Sequence, residues 1–572
     1  MRIIDYYNYI ATAVYILVGV AAVVAFYKGK KTKRADFSDR TAMILFALIM
    51  VLASFLRLYK LGEVPLGLQQ DEASIGYDAY TLATYGIDRN GYHWPVYPIT
   101  WGCGGGSPLL IYINVITISL FGTGIVKLRL IPAVLGIITV ALFYWSLRLI
   151  FENRTGRNIL SLLGALFLAV CPWHIILSRW SLDCNIMPFN MMAALLLYLY
   201  AAKKKSTLLY CLSAAAFAVC MYSYGAATII VPLFLLMICI YSVREKVLTI
   251  RALIASFVTF MVVFAPLLLF YGVNYLGLPE IVTPYVCFNR FTAARTGEAF
   301  LAFDASLPGK LFNNIRSLFL ALSIGDSSYT MAHYYDGYAC LFEFTFPITA
   351  IGLILCIRDV FGKKNADEAG SLYRIGSAAY LFFIIGSAVL ELVIVPDVSR
   401  LVMLFIPAIF LFVRGAAFVY ENVGKLLVVV VAFLLVGGVS FSKDYFTDYS
   451  RWAVSIYMPG YGDAIKRAYE VAGDERTVYS TYDGLSSPFM LALYYNEYDP
   501  YKFFQTVVYK DEKAEFRIAE SFGNFIFKLP EEILAGENED AVFVLSSGDI
   551  GNIELPEDCK VEDFGGYWVV YK

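Results

Sequence analysis

Charge is what this chain has least of. Only 16% of its 572 residues are Asp, Glu, Lys or Arg, against 59% hydrophobic, and the mean hydropathy is +0.64. Soluble globular chains carry about a quarter charged residues, so a polytopic membrane protein is expected instead. A net charge of −2 supplies no basic field and argues against nucleic acid as a partner. Three histidines and ten scattered cysteines, without a CxxC pair or a His/Cys cluster, give neither a zinc site nor a disulfide framework. The first apolar run has no basic flank before it and no small-residue cleavage site after it, so no cleavable signal is expected. The apolar runs have helix length rather than the ten-residue alternation of a membrane barrel, which excludes that class. What abounds is aromatic: 43 Tyr and 43 Phe, suited to interfacial belts and to sugar-stacking surfaces.

About twelve runs suit a transmembrane helix, near 8–27, 41–58, 128–150, 159–177, 187–202, 207–222, 226–242, 250–271, 338–357, 373–394, 400–414 and 423–441. The basic loops Lys28–Arg34, Arg148–Arg157, Lys203–Lys205, Arg244–Lys246 and Arg358–Lys364 are expected in the cytoplasm. They all fall on that side only if the apolar run Pro108–Phe121 does not span, so this run is expected along the outer surface or re-entrant. Three divisions follow: an extra N-terminal helix with its basic loop (1–40), a transmembrane catalytic body with external loops 59–127 and 272–337 (41–441), and a soluble extracytoplasmic α/β domain (442–572). Within the last, Tyr461–Ala472 reads as a helix and Thr477–Tyr482, Ala541–Ser546 and Gly566–Tyr571 as strands.

Against this scarcity of charge, one acidic pair stands out: Leu68-Gln-Gln-Asp71-Glu72-Ala-Ser-Ile-Gly76-Tyr77, just beyond an apolar run that ends at Arg57. Carboxylates at a membrane face are costly unless solvated, paired or working. The flanking residues, Leu56-Arg-Leu-Tyr-Lys-Leu-Gly62, Pro65 and Gly76-Tyr77-Asp78-Ala-Tyr80, resemble the start of GT-C superfamily glycosyltransferases, in the branch of protein O-mannosyltransferases and lipid A aminoarabinose transferases. The likeness continues through Gly86-Ile-Asp88-Arg-Asn-Gly91, Pro95, Ser107-Pro108-Leu109, Phe121-Gly122, Arg129-Leu130 and Pro172-Trp-His-Ile-Ile-Leu-Ser178-Arg179 with Leu182-Asp183, over roughly residues 41–440.

The resemblance implies transfer of a sugar from a polyprenyl-phosphate carrier at the extracytoplasmic face, and it matches Asp71 to the catalytic aspartate. The chemistry agrees. A base must take the acceptor's proton while an oxocarbenium-like centre develops, and cations or dipoles must hold the departing phosphate. Attack opposite the phosphate inverts the anomeric centre. The competing reading of Asp71 is a helix N-cap or a solvated loop acid. Glu72 orients Asp71 or binds a sugar hydroxyl. Asp183 contacts substrate or tunes Asp71, unless it only pairs with Arg179 one helical turn away. Candidates for the phosphate are Arg400, Arg129, His333, Arg179 and Arg290, with Arg295 beside the last; a lone arginine at a helix end is commonly an interfacial anchor. Asp78 and Asp88 read as structural, and Trp101-Gly-Cys-Gly-Gly-Gly106 as a turn rather than a nucleotide loop. No residue cluster is dedicated to a metal; a divalent cation at the acids is compatible with the resemblance, because some GT-C enzymes bind one.

Expected partners are thus the donor lipid, membrane lipids and an acceptor (protein, glycan or lipid of the cell envelope) that the sequence does not name. Two other classes share the hydropathy: a transporter or flippase of a lipid-linked sugar, and a non-catalytic scaffold of envelope assembly. A transporter would place polar residues at mid-membrane in repeated halves; here the acids gather at one face and no repeat is visible.

Overall fold

The computed structural model describes residues 3–29, 36–293, 304, 306–323, 333–335, 337–362, 371–393 and 397–572. The chain is a multi-pass helical membrane protein with a small sheet-bearing C-terminal region. Its helices are α1 (Ile3–Tyr27), α2 (Asp39–Leu58), α3 (Gln70–Tyr85), α4 (Pro108–Phe121), α5 (Ile125–Ile150), α6 (Arg157–Val170), α7 (Pro172–Leu177), α8 (Met187–Lys204), α9 (Thr207–Cys220), α10 (Ala227–Arg244), α11 (Ile250–Tyr275), α12 (Leu307–Ser323), α13 (Phe346–Phe361), α14 (Leu372–Val393), α15 (Phe405–Val423) and α16 (Leu427–Trp452). Among the described residues nine helical segments are long and apolar enough to cross a membrane. One of them, Phe405–Trp452, holds both α15 and α16, joined by a 3-10 turn at Gly424–Leu426. The expected runs at 159–177 and 207–222 are shorter helices, the first broken at Pro172, which cannot continue the ladder of α6.

Two boundaries depart from the hydropathy. The run at 400–414 becomes turns up to Leu404, and α15 begins only at Phe405. Helix α16 continues well past Phe441, where the apolar run ends. Phe441, Tyr445 and Tyr449 repeat every four residues and stay buried on one face, while Lys443 and Arg451 point outward. Helix α4 has 14 residues, about 21 Å at 1.5 Å per residue, short of a hydrocarbon core of about 30 Å. It packs chiefly on α3.

Basic residues of the connecting loops meet acids at one end of the bundle. Arg148 and Arg157 both reach Asp39, Lys203 pairs with Glu152, Arg374 with Glu245 and Arg414 with Asp359. The segments 30–35 and 363–370, with most of the basic loop Lys28–Arg34 and the end of Arg358–Lys364, lie outside the described residues. The C-terminus of α2, the N-termini of α5, α8 and α15 and the C-termini of α14 and α16 come together at the other end.

Beyond α16, after α17 (Val454–Tyr457), helix α18 spans Tyr461–Ala472, as its periodicity predicts. It lies on a seven-stranded sheet ordered β4-β5-β6-β3-β7-β9-β8, in which β3 (Val478–Ser480) runs parallel to both β6 (Phe525–Ile526) and β7 (Val542–Ser546). The others are β4 (Val508–Tyr509), β5 (Ala519–Phe522), β8 (Lys560–Asp563) and β9 (Tyr567–Tyr571), while β1 (Ile281–Val282) and β2 (Cys287–Phe288) form a separate hairpin. Helix α19 (Pro488–Tyr495) docks on α3. Tyr77 donates its hydroxyl to Tyr498 O at 2.9 Å, and Arg89, fully buried, holds Asp78 Oδ1 at 2.7 Å and Met490 Sδ at 2.7 Å.

Gly76 makes this docking close. A Cβ there would meet the Tyr494 ring at 2.6 Å and Leu128 at 2.8 Å. Gly76→Ala is expected to destabilise the protein by about 1–3 kcal/mol through overpacking, read as a lower melting temperature. An unchanged melting curve would mean that the contact is slack.

Candidate active site

Helix α3 starts with a capping box. Gln69 accepts from the amides of Asp71 and Glu72, and Glu72 Oε2 accepts from the Gln69 amide at 3.3 Å. That box settles where the two acids go. Asp71 is half-buried, and its carboxylate takes one hydrogen bond among the described residues, from Gln69 Nε2 to Oδ2 at 3.1 Å. Oδ1 stays open. Burial pushes the Asp71 carboxyl up to about 6; the Gln69 bond opposes the rise, and the charges of Asp183 and Glu72 add to it.

Glu72 is turned inward and fully buried. Arg129 grips it twice, Nε to Oε1 at 3.0 Å and Nη2 to Oε2 at 2.8 Å, and the Ser181 amide donates to Oε1 at 2.8 Å. With both oxygens taken, Glu72 has none to offer substrate; its place is to fix the start of α3. Arg129 is corrected with it. Its Nη1 and Nη2 also donate to Pro65 O and Gly67 O, both at 2.7 Å, so this fully buried side chain is committed as a strut rather than to a phosphate.

Arg179 is likewise a strut. It donates to the carbonyls of Leu56, Lys60 and Val64 at the end of α2, not to Asp183 and not toward a ligand. The expected Arg179–Asp183 pair does not form, because α7 ends before the two residues and they do not share a helical face. Arg57 repeats the pattern, closing the end of α6 through Leu168 O and Ala169 O and meeting His174 Nδ1 at 2.6 Å. Buried arginines here satisfy helix ends that water cannot reach.

Asp183 instead accepts from the Ser107 amide and hydroxyl at 2.9 and 2.8 Å, and from the Cys184 amide at 2.8 Å. Ser107 is the N-cap residue of α4, so that short helix is what brings its loop to Asp183. The preceding glycines serve packing: a Cβ on Gly102 would lie 2.3 Å from Ala514 O, and the amides of Thr292 and Ala293 bond Gly102 O.

Beyond Asp183 follows a polar string. Asn185 donates to Trp180 O at 2.8 Å, and its Oδ1 meets His333 Nε2 at 2.6 Å. The His333 ring lies 4.7 Å from that of Trp180. Burial pulls His333 down to about 4, against the pull of Asp397, so at neutral pH it is an uncharged hydrogen-bonding group rather than a cation for phosphate. Ser399 bonds Asp397 through its amide and meets the Tyr224 hydroxyl at 3.2 Å. Arg400 sits in the turns before α15, its amide on Asp397 O. Arg290 is exposed and donates to Leu278 O at 2.7 Å. Arg295 and Asp336 lie outside the described residues. Asp78 and Asp88 are structural: Asp78 pairs with Arg89, and Asp88 closes its turn on the amides of Asn90 and Tyr92.

The geometry thus yields one open carboxylate beside a second, at the end where the loops and the α/β region converge. The family model for dolichyl-phosphate-mannose-protein mannosyltransferases matches residues 106–270. The likeness to protein O-mannosyltransferases read from the sequence is matched by that family model over this stretch. The match holds Ser107, Arg129, Arg179 and Asp183, and starts after Asp71. Among solved structures, ArnT from Cupriavidus metallidurans bound to undecaprenyl phosphate is similar at 13% identity and a TM-score of 0.49, covering 93% of this chain and 98% of that one. The oligosaccharyltransferase AglB from Archaeoglobus fulgidus, in complex with an inhibitory peptide and a dolichol-phosphate, is similar at 12% identity and 0.46, covering 79% and 63%. No curated protein sequence matches the chain.

Sequence reasoning overlooked Gln69, Asn185 and Tyr224, whose type and spacing are unremarkable until the fold assembles them. It also overlooked Glu391, which carried a readable signal: an acid inside an apolar run.

Proposed function

We propose that the protein is an inverting glycosyltransferase that moves a sugar from a polyprenyl-phosphate donor to an acceptor hydroxyl at the extracytoplasmic face. The observation that carries this reading is Asp71: an open, half-buried carboxylate with its affinity for protons raised toward neutrality, at the loop-rich end of a membrane bundle. Its orientation is supported by the charged loops at the opposite end, since short basic loops stay in the cytoplasm.

Asp71 Oδ1 takes the acceptor's proton as the acceptor oxygen attacks the anomeric carbon. The bond to the phosphate oxygen breaks on the far side, and phosphate departs with its electron pair, needing no strong general acid. Asp183, held by Ser107, stands beside the base and raises its basicity by charge. Of the phosphate candidates this reading retains Arg400, which stands in the turns before α15 beside Asp397 and within electrostatic reach of Glu391. Arg129 and Arg179 hold carbonyls, His333 is uncharged, and Arg290 is exposed on Leu278 O. A divalent cation fits poorly: Asp183 has both oxygens engaged, and among the described residues no group of three His, Cys, Asp or Glu side chains converges to hold one.

The base works only when deprotonated. With Asp71 near 6, kcat/KM is expected to fall about tenfold per pH unit below that value and to level off above it. A profile of transfer from polyprenyl-phosphate mannose, glucose and amino-sugar donors between pH 4.5 and 8 tests this. A rate flat through pH 6, or inflecting only near 4, contradicts the assignment.

A further inference from the structure

Glu391 lies two residues from the end of α14, about 28 Å along that helix from Leu372, at the end of the bundle that holds the acids. It is 1% exposed, and neither carboxylate oxygen has a hydrogen bond among the described residues. A buried carboxyl group without a partner is costly. The surroundings are arranged as if for a guest. Asn314 of α12, itself 7% exposed, reaches across to donate to the backbone carbonyl of Glu391 at 2.8 Å. The opposite stripe of α12, Phe312, Ile315 and Phe319, is exposed. The exposed side of α12 also carries Asn313 and Arg316, so the helix is amphipathic in mixed fashion, with Asn314 turned to α14.

Arg400 and Asp397 are both within electrostatic reach of Glu391, and Asp397 is within reach of His333 and Cys184, next to Asp183. The acid therefore lies at the same end of the bundle as the polar string that leads to Asp71. We propose that Glu391 is a binding residue for the transferred sugar, accepting hydrogen bonds from its hydroxyl groups while the phosphate lies toward Arg400. A carboxyl group exchanges hydrogen bonds with the hydroxyl groups of a pyranose, whereas a phosphate calls for a cation. This rests on the donor class proposed above.

The test is binding by the full-length protein in lipid nanodiscs, wild type against Glu391→Met and Glu391→Gln. The probes are polyprenyl-phosphate mannose, its glucose counterpart and bare polyprenyl phosphate. Methionine replaces an unpartnered acid by an apolar side chain of similar length, so the melting temperature is expected to hold or rise. Affinity for at least one of the two hexose lipids is expected to fall tenfold or more in Glu391→Met and less in Glu391→Gln, with bare polyprenyl phosphate bound as before. Unchanged affinity for all three lipids overturns the proposal and leaves the donor reading standing, since Glu391 is then a structural acid. Equal weakening of all three also overturns it. If the wild type binds none of them, the donor reading fails and takes this proposal with it.

Discussion

Asp71→Asn is expected to lower transfer by about a hundred- to ten-thousand-fold while the protein still inserts, folds and melts as before. The substitution is almost isosteric. An Asn side chain can set its amide oxygen where Oδ2 stood and accept the same bond from Gln69 Nε2, while Gln69 Oε1 stays on the helix cap. Removing a charge that burial opposes costs the fold nothing. What is lost is the ability of Oδ1 to accept a proton from the acceptor. Because the effect falls on the chemical step, kcat should drop with little change in KM for the donor. Glu72→Gln is the necessary contrast, since two adjacent carboxylates have opposite assignments. Near-normal turnover by Asp71→Asn in purified protein would end the base assignment, whatever the other residues do.

The second large effect concerns stability. Removing one partner of the Glu72–Arg129 pair, as in Arg129→Met, is expected to destabilise by about 3–5 kcal/mol, because it strands a buried charge. Arg129→Met also orphans Pro65 O and Gly67 O, so it should be worse than Glu72→Gln, which keeps a polar side chain at the capping box. The double replacement Glu72→Gln with Arg129→Met should lie closer to wild type than the sum of the two singles. Thermal unfolding of the four proteins in one detergent closes the cycle. Additive losses would show that the two side chains act separately. Activity should track folded protein here, in contrast to Asp71→Asn.

The adjacent acids Asp71 and Glu72 illustrate how far a sequence can be read. Their position after an apolar run marked the segment, and the GT-C likeness singled out Asp71. Which of the two faces open space depended on the capping box, whose closure turns the third residue of the helix back on Gln69 and toward Arg129. The arginines were the harder case. A lone arginine near a helix end reads equally as an anchor, a phosphate ligand or a strut. Arg129 and Arg179 became struts because the ends of α2 and the turn after it leave carbonyls in a dry interior. The Arg179–Asp183 spacing suggested a helical pair, yet α7 stops at Leu177, and Asp183 turns to Ser107 some seventy residues earlier in the chain.

By itself the sequence determined the environment and the class. Scarce charge and helix-length apolar runs leave only a polytopic helical bundle, since lipid offers the backbone no partner except itself. The change of composition near 442 likewise announced a region of helices and strands after the bundle. The tertiary structure alone decided which charged groups are spent and which are left over. Hydrogen bonds between residues far apart in the chain, from Arg129 to Glu72 and from Tyr77 to Tyr498, follow from packing that no local pattern encodes. In a dry interior such bonds are close to obligatory, so the groups left without one among the described residues, Glu391 among them, and the open oxygen of Asp71 are visible only once the others have been placed.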